Sequence, residues 1–301
     1  MSGETIRIAG ASGFWGDAAR STPQLLKDED VDFIVYDYLA EITMSIMARA
    51  RAKNPDNGYA LDFVSAVMKP NLTEIARQSV RIISNAGGVN PRACADALRG
   101  VIAELNLDLK VACVLGDDMI GQRDEIAAQG HKEMFSGDGF PDVSKVASIN
   151  AYLGAFPVAR ALQEGADIVI TGRSVDSAVT LGACIDAFGW GRGDLNQLAM
   201  GSLAGHILEC GPQATGGNFT DWELSNNLEN IGYPVAEIRQ DGSFLCSKPK
   251  GTGGLVSVGT IAEQMVYEIG DPQAYVLPDV VCDFSGVELT QVDQNLVEVR
   301  G

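Results

Sequence analysis

Asp167-Ile168-Val169-Ile170-Thr171-Gly172-Arg173-Ser174-Val175-Asp176-Ser177 joins an apolar run to a glycine turn and then to a helix-starting pattern of serines and an aspartate. A strand that is apolar at every position is covered on both faces, as in a parallel sheet whose crossovers are helices. The same unit recurs along the chain. Strand-like runs at residues 5–9, 32–36, 81–84, 110–115 and 167–171 alternate with helical patterns at 41–53, 62–78, 91–106, 123–129, 151–164 and 175–188. This alternation predicts an α/β fold, a doubly wound, mostly parallel sheet with helices on both faces. Its loops would gather at the carboxyl ends of the strands.

Beyond residue 221 the pattern changes. Two short apolar runs flank Gln240-Asp241-Gly242, and Asp-Gly is a strong hairpin signal. A helix at 259–268 and a second hairpin, turning at Asp293-Gln294-Asn295, follow. The reading is an α/β domain over residues 1–225 carrying the glycine-rich loops. A smaller C-terminal α+β part with antiparallel hairpins, 226–301, packs against it. The chain stops on a strand-like run, so its pairing is expected to continue elsewhere, either in a partner or in further residues of a truncated second part.

Composition excludes several function classes. With 40 acidic against 22 basic residues the formal net charge is -18, which repels nucleic acid and anionic membrane surfaces. A small anionic substrate remains compatible, because a local arginine acts at short range while the average charge is screened. Six scattered cysteines without a C-x-x-C pair read as reduced core thiols. With only two histidines, His131 and His206, and no close Cys/His spacing, no structural zinc site is expected. No charged-then-apolar leader opens the chain and no apolar segment is long enough to span a bilayer, so a cytoplasmic location is expected.

The densest chemistry lies between Gly205 and Asp221. A helix at 195–210 places His206 and Cys210 four residues apart on one face with Glu209 beside them, and Gly211-Pro212 stops it. Gln213, Thr215, Gly216, Gly217 and Asn218 then offer polar side chains and approachable backbone. The stretch is either a binding loop or a tight connection with His206 and Cys210 in the core. In the Thr171 to Ser177 loop, Arg173 and Ser174 are candidates to hold an anion, with Asp176 beside them. The alternative is that Ser174 merely caps the helix and Asp176 complements its dipole.

Three further loops end strands. Gly10-Ala11-Ser12-Gly13-Phe14-Trp15-Gly16 imitates a dinucleotide fingerprint, with Asp37 ending the next strand. Asp17 would set a carboxylate where a pyrophosphate should sit, and Ser21-Thr22-Pro23 predicts that the helix restarts at Pro23, so NAD(P) is disfavoured. Gly10, Ser12, Gly13 and Asp37 are kept as ligand-loop candidates, together with Asn85, Gly87 and Gly88 from the third strand's loop. Asp117-Asp118 is either a Mg²⁺ site or a solvated pair. Gly251-Thr252-Gly253-Gly254 after Lys248-Pro249-Lys250 is a basic, glycine-rich loop of phosphate-binding type.

Taken together, the Gly10 to Asp17 loop, Ser84-Asn85-Ala86-Gly87-Gly88, Thr171 to Asp176, Gly205 to Asp221 and Gly251 to Gly254 resemble the acyclic terpene utilisation (AtuA-like) family over nearly the whole chain. The resemblance implies a catabolic protein for acyclic isoprenoids and other branched carboxylic acids, some handled as CoA thioesters. It also implies continuation into a further domain or work beside a small companion protein. The resulting expectation is a lyase or hydratase acting on a small branched acid or its CoA ester. Asp176, His206 and Glu209 would move protons, Cys210 would be a less favoured nucleophile, and Arg173, Ser174 and the Gly216-Gly217 backbone would hold the carboxylate or thioester oxygen. The competing expectation is a non-catalytic acyl-ligand binding or scaffold subunit. A homo-oligomer or a complex with the companion is expected, with no nucleic-acid or membrane partner.

Overall fold

A computed structural model of the chain describes residues 5–12, 15–27 and 30–301. A nine-stranded sheet organises it. Its parallel part comprises β1 (Thr5–Gly10), β2 (Phe33–Tyr36), β3 (Arg81–Ser84), β4 (Val111–Val114) and β5 (Ile168–Thr171). These lie in the order β1-β2-β3-β5-β4, all parallel. Beyond β1 the sheet continues antiparallel through β6 (Val235–Arg239), β7 (Phe244–Ser247), then β11 (Leu296–Arg300) and β10 (Glu288–Asp293) at the edge. The predicted hairpins are therefore strands of the same sheet. A separate two-stranded ribbon is formed by β8 (Tyr275–Val276) and β9 (Val281–Cys282).

Alternate residues of the parallel strands feed two apolar cores. Ile8, Phe33, Val35, Ile83 and Val169 belong to one, with α6 (Phe156–Gln163), α7 (Ala178–Phe188) and α8 (Leu195–Glu209). Ala9, Ile34, Tyr36, Ile82, Ile168 and Ile170 belong to the other, with α1 (Ala18–Leu25), α2 (Glu41–Lys53), α3 (Lys69–Gln78) and α4 (Pro91–Glu104). This is the period-2 side-chain alternation of a strand turned into two layers. The antiparallel strands supply Ala236, Ile238, Phe244, Cys246, Val297 and Val299 to the first core. A short helix, α5 (Arg123–Ala128), lies in the largely exposed excursion between β4 and β5, and α9 (Val258–Val266) follows β7.

Several predicted boundaries move. The helix at the first glycine loop does not restart at Pro23: α1 runs from Ala18 through Pro23 to Leu25. The proline forfeits one bond, to the carbonyl of exposed Ala19, and the helix ends soon afterwards, so the cost is small. The expected helix at 62–78 opens with a π-helical turn, Phe63–Met68, whose Phe63 ring meets Tyr36 and Tyr38 edge-on. Residues 151–154 are not helical, and α6 starts at Phe156 after Ala155, whose N–H donates to Asp279 Oδ2 at 2.6 Å. The loop after β5 also holds on longer than expected, because Leu153 brackets Ser174 through backbone bonds to Arg173 and Val175, so α7 begins at Ala178.

α8 is the keystone for the site. It is buried from Met200 to Glu209, as expected of a helix wedged between a sheet and other helices. A Cβ at Gly205 would stand 2.7 Å from the Ser177 backbone, and one at Gly10 would overlap the Leu208 carbonyl oxygen. These two glycines let α8 lie directly on β1 and on the start of α7. Gly10→Ala is expected to destabilise the fold by about 1–3 kcal/mol, the usual cost of overpacking against an unyielding backbone. Urea unfolding checks it, and a variant as stable as the parent would show that α8 is free to move away.

Candidate functional site

The loops after β1, β2 and β5 and the start of α2 meet the C-terminal ends of α8 and α9 around a cleft of about 270 Å³. From the sequence candidates it draws Asp37, Arg173, Asp176, Glu209, Cys210 and Gln213 into one lining. Trp15, Tyr38, Glu41, Tyr267 and Glu268 complete much of the wall.

Asp37 follows β2 directly, and its position is fixed from two sides. Ser12 Oγ donates to its carbonyl at 2.8 Å, and Asn85 Nδ2 donates to its carboxylate. Asn85 Oδ1 in turn accepts from the Tyr38 N–H at 2.7 Å, so the loops after β2 and β3 are locked together. Burial, then the charges of Asp176 and Glu209, push the Asp37 carboxyl well above the usual carboxylate range, against the pull of Asn85 and Arg173.

Arg173 is only 3% exposed. Its Nη1 donates to Asp176 Oδ1 at 2.5 Å and to the Ser174 carbonyl at 3.0 Å, and its guanidinium stacks on the Tyr152 ring at 4.0 Å. Burial disfavours its charge, yet Asp176 and Asp37 more than offset this and hold the proton firmly. Asp176 is raised by burial, with Arg173 opposing and Glu268 and Glu41 adding to the rise.

His206 and Glu209 form the second pair. His206 Nδ1 lies 2.9 Å from Glu209 Oε1, and both side chains are almost wholly buried. Glu209 lines the cleft and His206 stands behind it. Burial lifts Glu209 to about 7, although His206 pulls it down, so this carboxyl changes protonation near neutrality. Burial opposes the imidazolium, but Glu209 outweighs it and His206 sits above its ordinary value. Nε2 of His206 is buried without a hydrogen-bond partner, and Gln264 Nε2 anchors the His206 carbonyl at 3.0 Å.

The remaining candidates serve other ends. Burial pushes the Cys210 thiol up, first of all causes, and Glu209 adds to it, which removes the nucleophilic thiolate at neutral pH. Gly216 and Gly217 spend their N–H groups inside their own loop, on the carbonyls of Gln213 and Pro212, and Thr215 Oγ1 donates to Gly232. None of these three lines the cleft, so the expected backbone oxyanion donors are absent from it. Asn218 lines an adjoining hollow of about 340 Å³, which shares Gln213 and Tyr267 with the cleft. Ser174 is fully buried beside Arg173. Gly87 and Gly88 pack against the Thr171 carbonyl and Met47, holding Asn85 in place. Gly13 lies outside the described residues.

Asp117 and Asp118 part company. Asp117 accepts from the Arg173 N–H at 2.8 Å and from Asn150 at 2.9 Å, while Asp118 pairs with Arg51 at 3.1 Å. Among the described residues no group of three His, Cys, Asp or Glu side chains is arranged to hold a metal ion. The Lys248 to Gly254 loop stands apart from the cleft, with Lys248 Nζ bound to the Thr252 carbonyl at 2.8 Å. All six cysteines are free thiols. Among the described residues no helix is long and apolar enough to cross a membrane.

Sequence reading missed Glu268, Tyr267, Glu41 and Tyr152. Glu268 follows α9 with φ 57°, a left-handed conformation that a glutamate adopts only at a cost. Tyr152, whose hydroxyl donates to Glu41 Oε1 at 3.2 Å, fell inside a stretch read as helix. Nothing local in the sequence marks any of the four.

Compared with curated proteins and with solved structures, the chain matched none. The model of one family, described as acyclic terpene utilisation family protein AtuA, matches residues 6–301, and by that near-complete span the chain belongs to the acyclic terpene utilisation family.

Proposed function

We propose that the chain is a catabolic enzyme that moves a proton, and with it water or another small leaving group, on a small branched carboxylic acid or its CoA thioester. A lyase or hydratase is the reaction type that fits. The observation that carries this reading is the Glu209–His206 pair at the cleft wall, a carboxyl poised near 7 within the same hollow as a buried guanidinium. Removing a proton next to an acyl carbonyl builds negative charge on the carbonyl oxygen, and a fixed cation in a site poor in water stabilises that charge. In this scheme Glu209 takes the proton, His206 backs it, and Arg173, held flat between Asp176 and Tyr152, faces the oxygen. Asp37, kept protonated by its surroundings, returns a proton to the leaving group or to carbon.

The test is hydrogen exchange in D₂O, followed by NMR, at the carbon next to the carbonyl of small branched acids and their thioesters. The parent chain is expected to exchange that hydrogen, and Glu209→Gln to do so about 10²–10⁴-fold more slowly. No exchange and no hydration with any of these compounds would sink the proposal. The second reading, an acyl-binding subunit of a larger assembly, draws support from β10, which is exposed along most of its length at the sheet edge.

A further inference from the structure

The charge inventory of the cleft constrains what enters it. Asp37 and Glu41 approach from the side of β2 and α2, Asp176 from the loop after β5, Glu209 from α8 and Glu268 from the end of α9. Arg173 is the one guanidinium or ammonium group among the described lining residues, and it is already held by Asp176 at 2.5 Å. The other polar groups of the wall, Trp15, Thr43, Cys210, Gln213 and Tyr267, carry no positive charge, and His206, which takes one when protonated, stands behind Glu209 and is paired with it at 2.9 Å.

A bare carboxylate placed here would face whichever wall carboxyls are ionised, while the cations at hand, Arg173 and a protonated His206, are already paired with Asp176 and Glu209. A carboxyl that brings or meets a proton instead makes an O–H···O⁻ hydrogen bond to a cleft carboxylate, among the strongest available to it. Glu268 sharpens the argument. Its left-handed backbone costs free energy and keeps one more carboxylate on the wall, the opposite of what an anion receptor would retain.

We infer that the cleft admits its acyl ligand uncharged: a free branched acid enters together with a proton shared with a cleft carboxyl, whereas a thioester, already neutral at its carbonyl, enters alone. This rests on the acyl reading above and specifies the form of the substrate. Burial and mutual repulsion, which keep Asp37, Asp176 and Glu209 above their ordinary values, supply the protons.

Isothermal titration calorimetry of the full chain with 3-methylbut-2-enoate and with its N-acetylcysteamine thioester separates the two cases. Each titration is run from pH 6 to 8 in phosphate and in Tris, whose ionisation heats differ. Acid binding is expected to take up little net proton at pH 6, where the cleft carboxyl already holds it, and close to one at pH 8, with affinity falling by up to roughly tenfold per pH unit above neutrality, while the thioester shows equal heats in both buffers and a flat pH profile. Glu209→Gln or Asp37→Asn is expected to reduce the uptake at pH 8 and to hold acid affinity to higher pH. Acid binding with equal heats in both buffers at pH 8 and no pH dependence would overturn the inference and leave the acyl reading standing. Uptake at pH 8 unchanged in both variants would place the proton outside the cleft and overturn it as well. If neither ligand binds, the acyl reading falls and takes this inference with it.

Discussion

Arg173→Met is expected to destabilise the chain by about 3–5 kcal/mol, the largest effect of any single substitution at the cleft, and to abolish its chemistry. The magnitude follows from what is left behind. Arg173 is 3% exposed, and its guanidinium holds Asp176 at 2.5 Å, with Asp37 close enough to feel its charge. Methionine fills much of the same volume, so packing is nearly kept and the loss is electrostatic. Two carboxyls already raised by burial lose the one cation that opposes the rise. They respond by taking up protons, which limits the damage at low pH and exposes it at high pH. Arg173→Met is therefore expected to lose less stability at pH 5.5 than at pH 8. Adding Asp176→Asn removes a stranded charge and is expected to restore part of the loss, a coupling readable from a double-mutant cycle in urea. Arg173→Lys should not rescue it, because a lysine ammonium cannot lie flat on Tyr152 while donating to both Asp176 and the Ser174 carbonyl. Additive single and double variants, or a methionine variant as stable as the parent, would show that the pair does not bear on the fold.

The fold was legible because its signals are local. Short all-apolar, β-branched runs such as Ile168-Val169-Ile170 read as strands covered on both sides, and they alternate with longer helical stretches. Asp241-Gly242 marked its hairpin equally well. The restart predicted at Pro23 failed because a proline six residues into an eight-residue helix removes only one hydrogen bond. The site was half legible, for a related reason. Arg173, Asp176, Asp37 and Glu209 sit at ends of elements, where polar residues interrupt apolar patterns and stand out. Gly216 and Gly217 carried the look of a ligand loop, yet their N–H groups close the loop on itself, a pairing set by Pro212 and Gln213 that composition does not reveal. Glu268 reaches the cleft only through the packing of α9 on α8, and Tyr152 reaches Arg173 and Glu41 only through the course of the excursion between β4 and β5. Such contacts are set by tertiary structure, and no spacing rule foretells them.

The same buried carboxyls make stability depend on pH in an unusual direction. Glu209 titrates near 7 in the folded chain against an ordinary value of 4.5, and Asp37, Asp176 and His206 are also raised. A group raised by folding binds more protons in the native state than in the unfolded chain, so the stability it contributes is full below its unfolded value and is lost as pH rises through its folded one. The carboxylates lowered on the surface, Glu74 and Glu298 among them, act in the opposite sense but below the ordinary carboxylate range. From pH 5.5 to 8 the buried groups therefore dominate. Glu209 alone accounts for about 2 kcal/mol of loss over that interval, and the chain is expected to unfold at lower urea concentration at pH 8 than at pH 5.5. Glu209→Gln keeps the shape, cannot ionise, and is expected to flatten the dependence while gaining stability at pH 8. His206→Gln separates the partners: without the imidazole that pulls Glu209 down, the carboxyl rises further and the fall in stability moves to higher pH. A parent chain whose urea midpoint is the same at both pH values, or rises towards pH 8, would mean that Glu209 is open to water in solution and that the proton chemistry assigned to it has no physical basis.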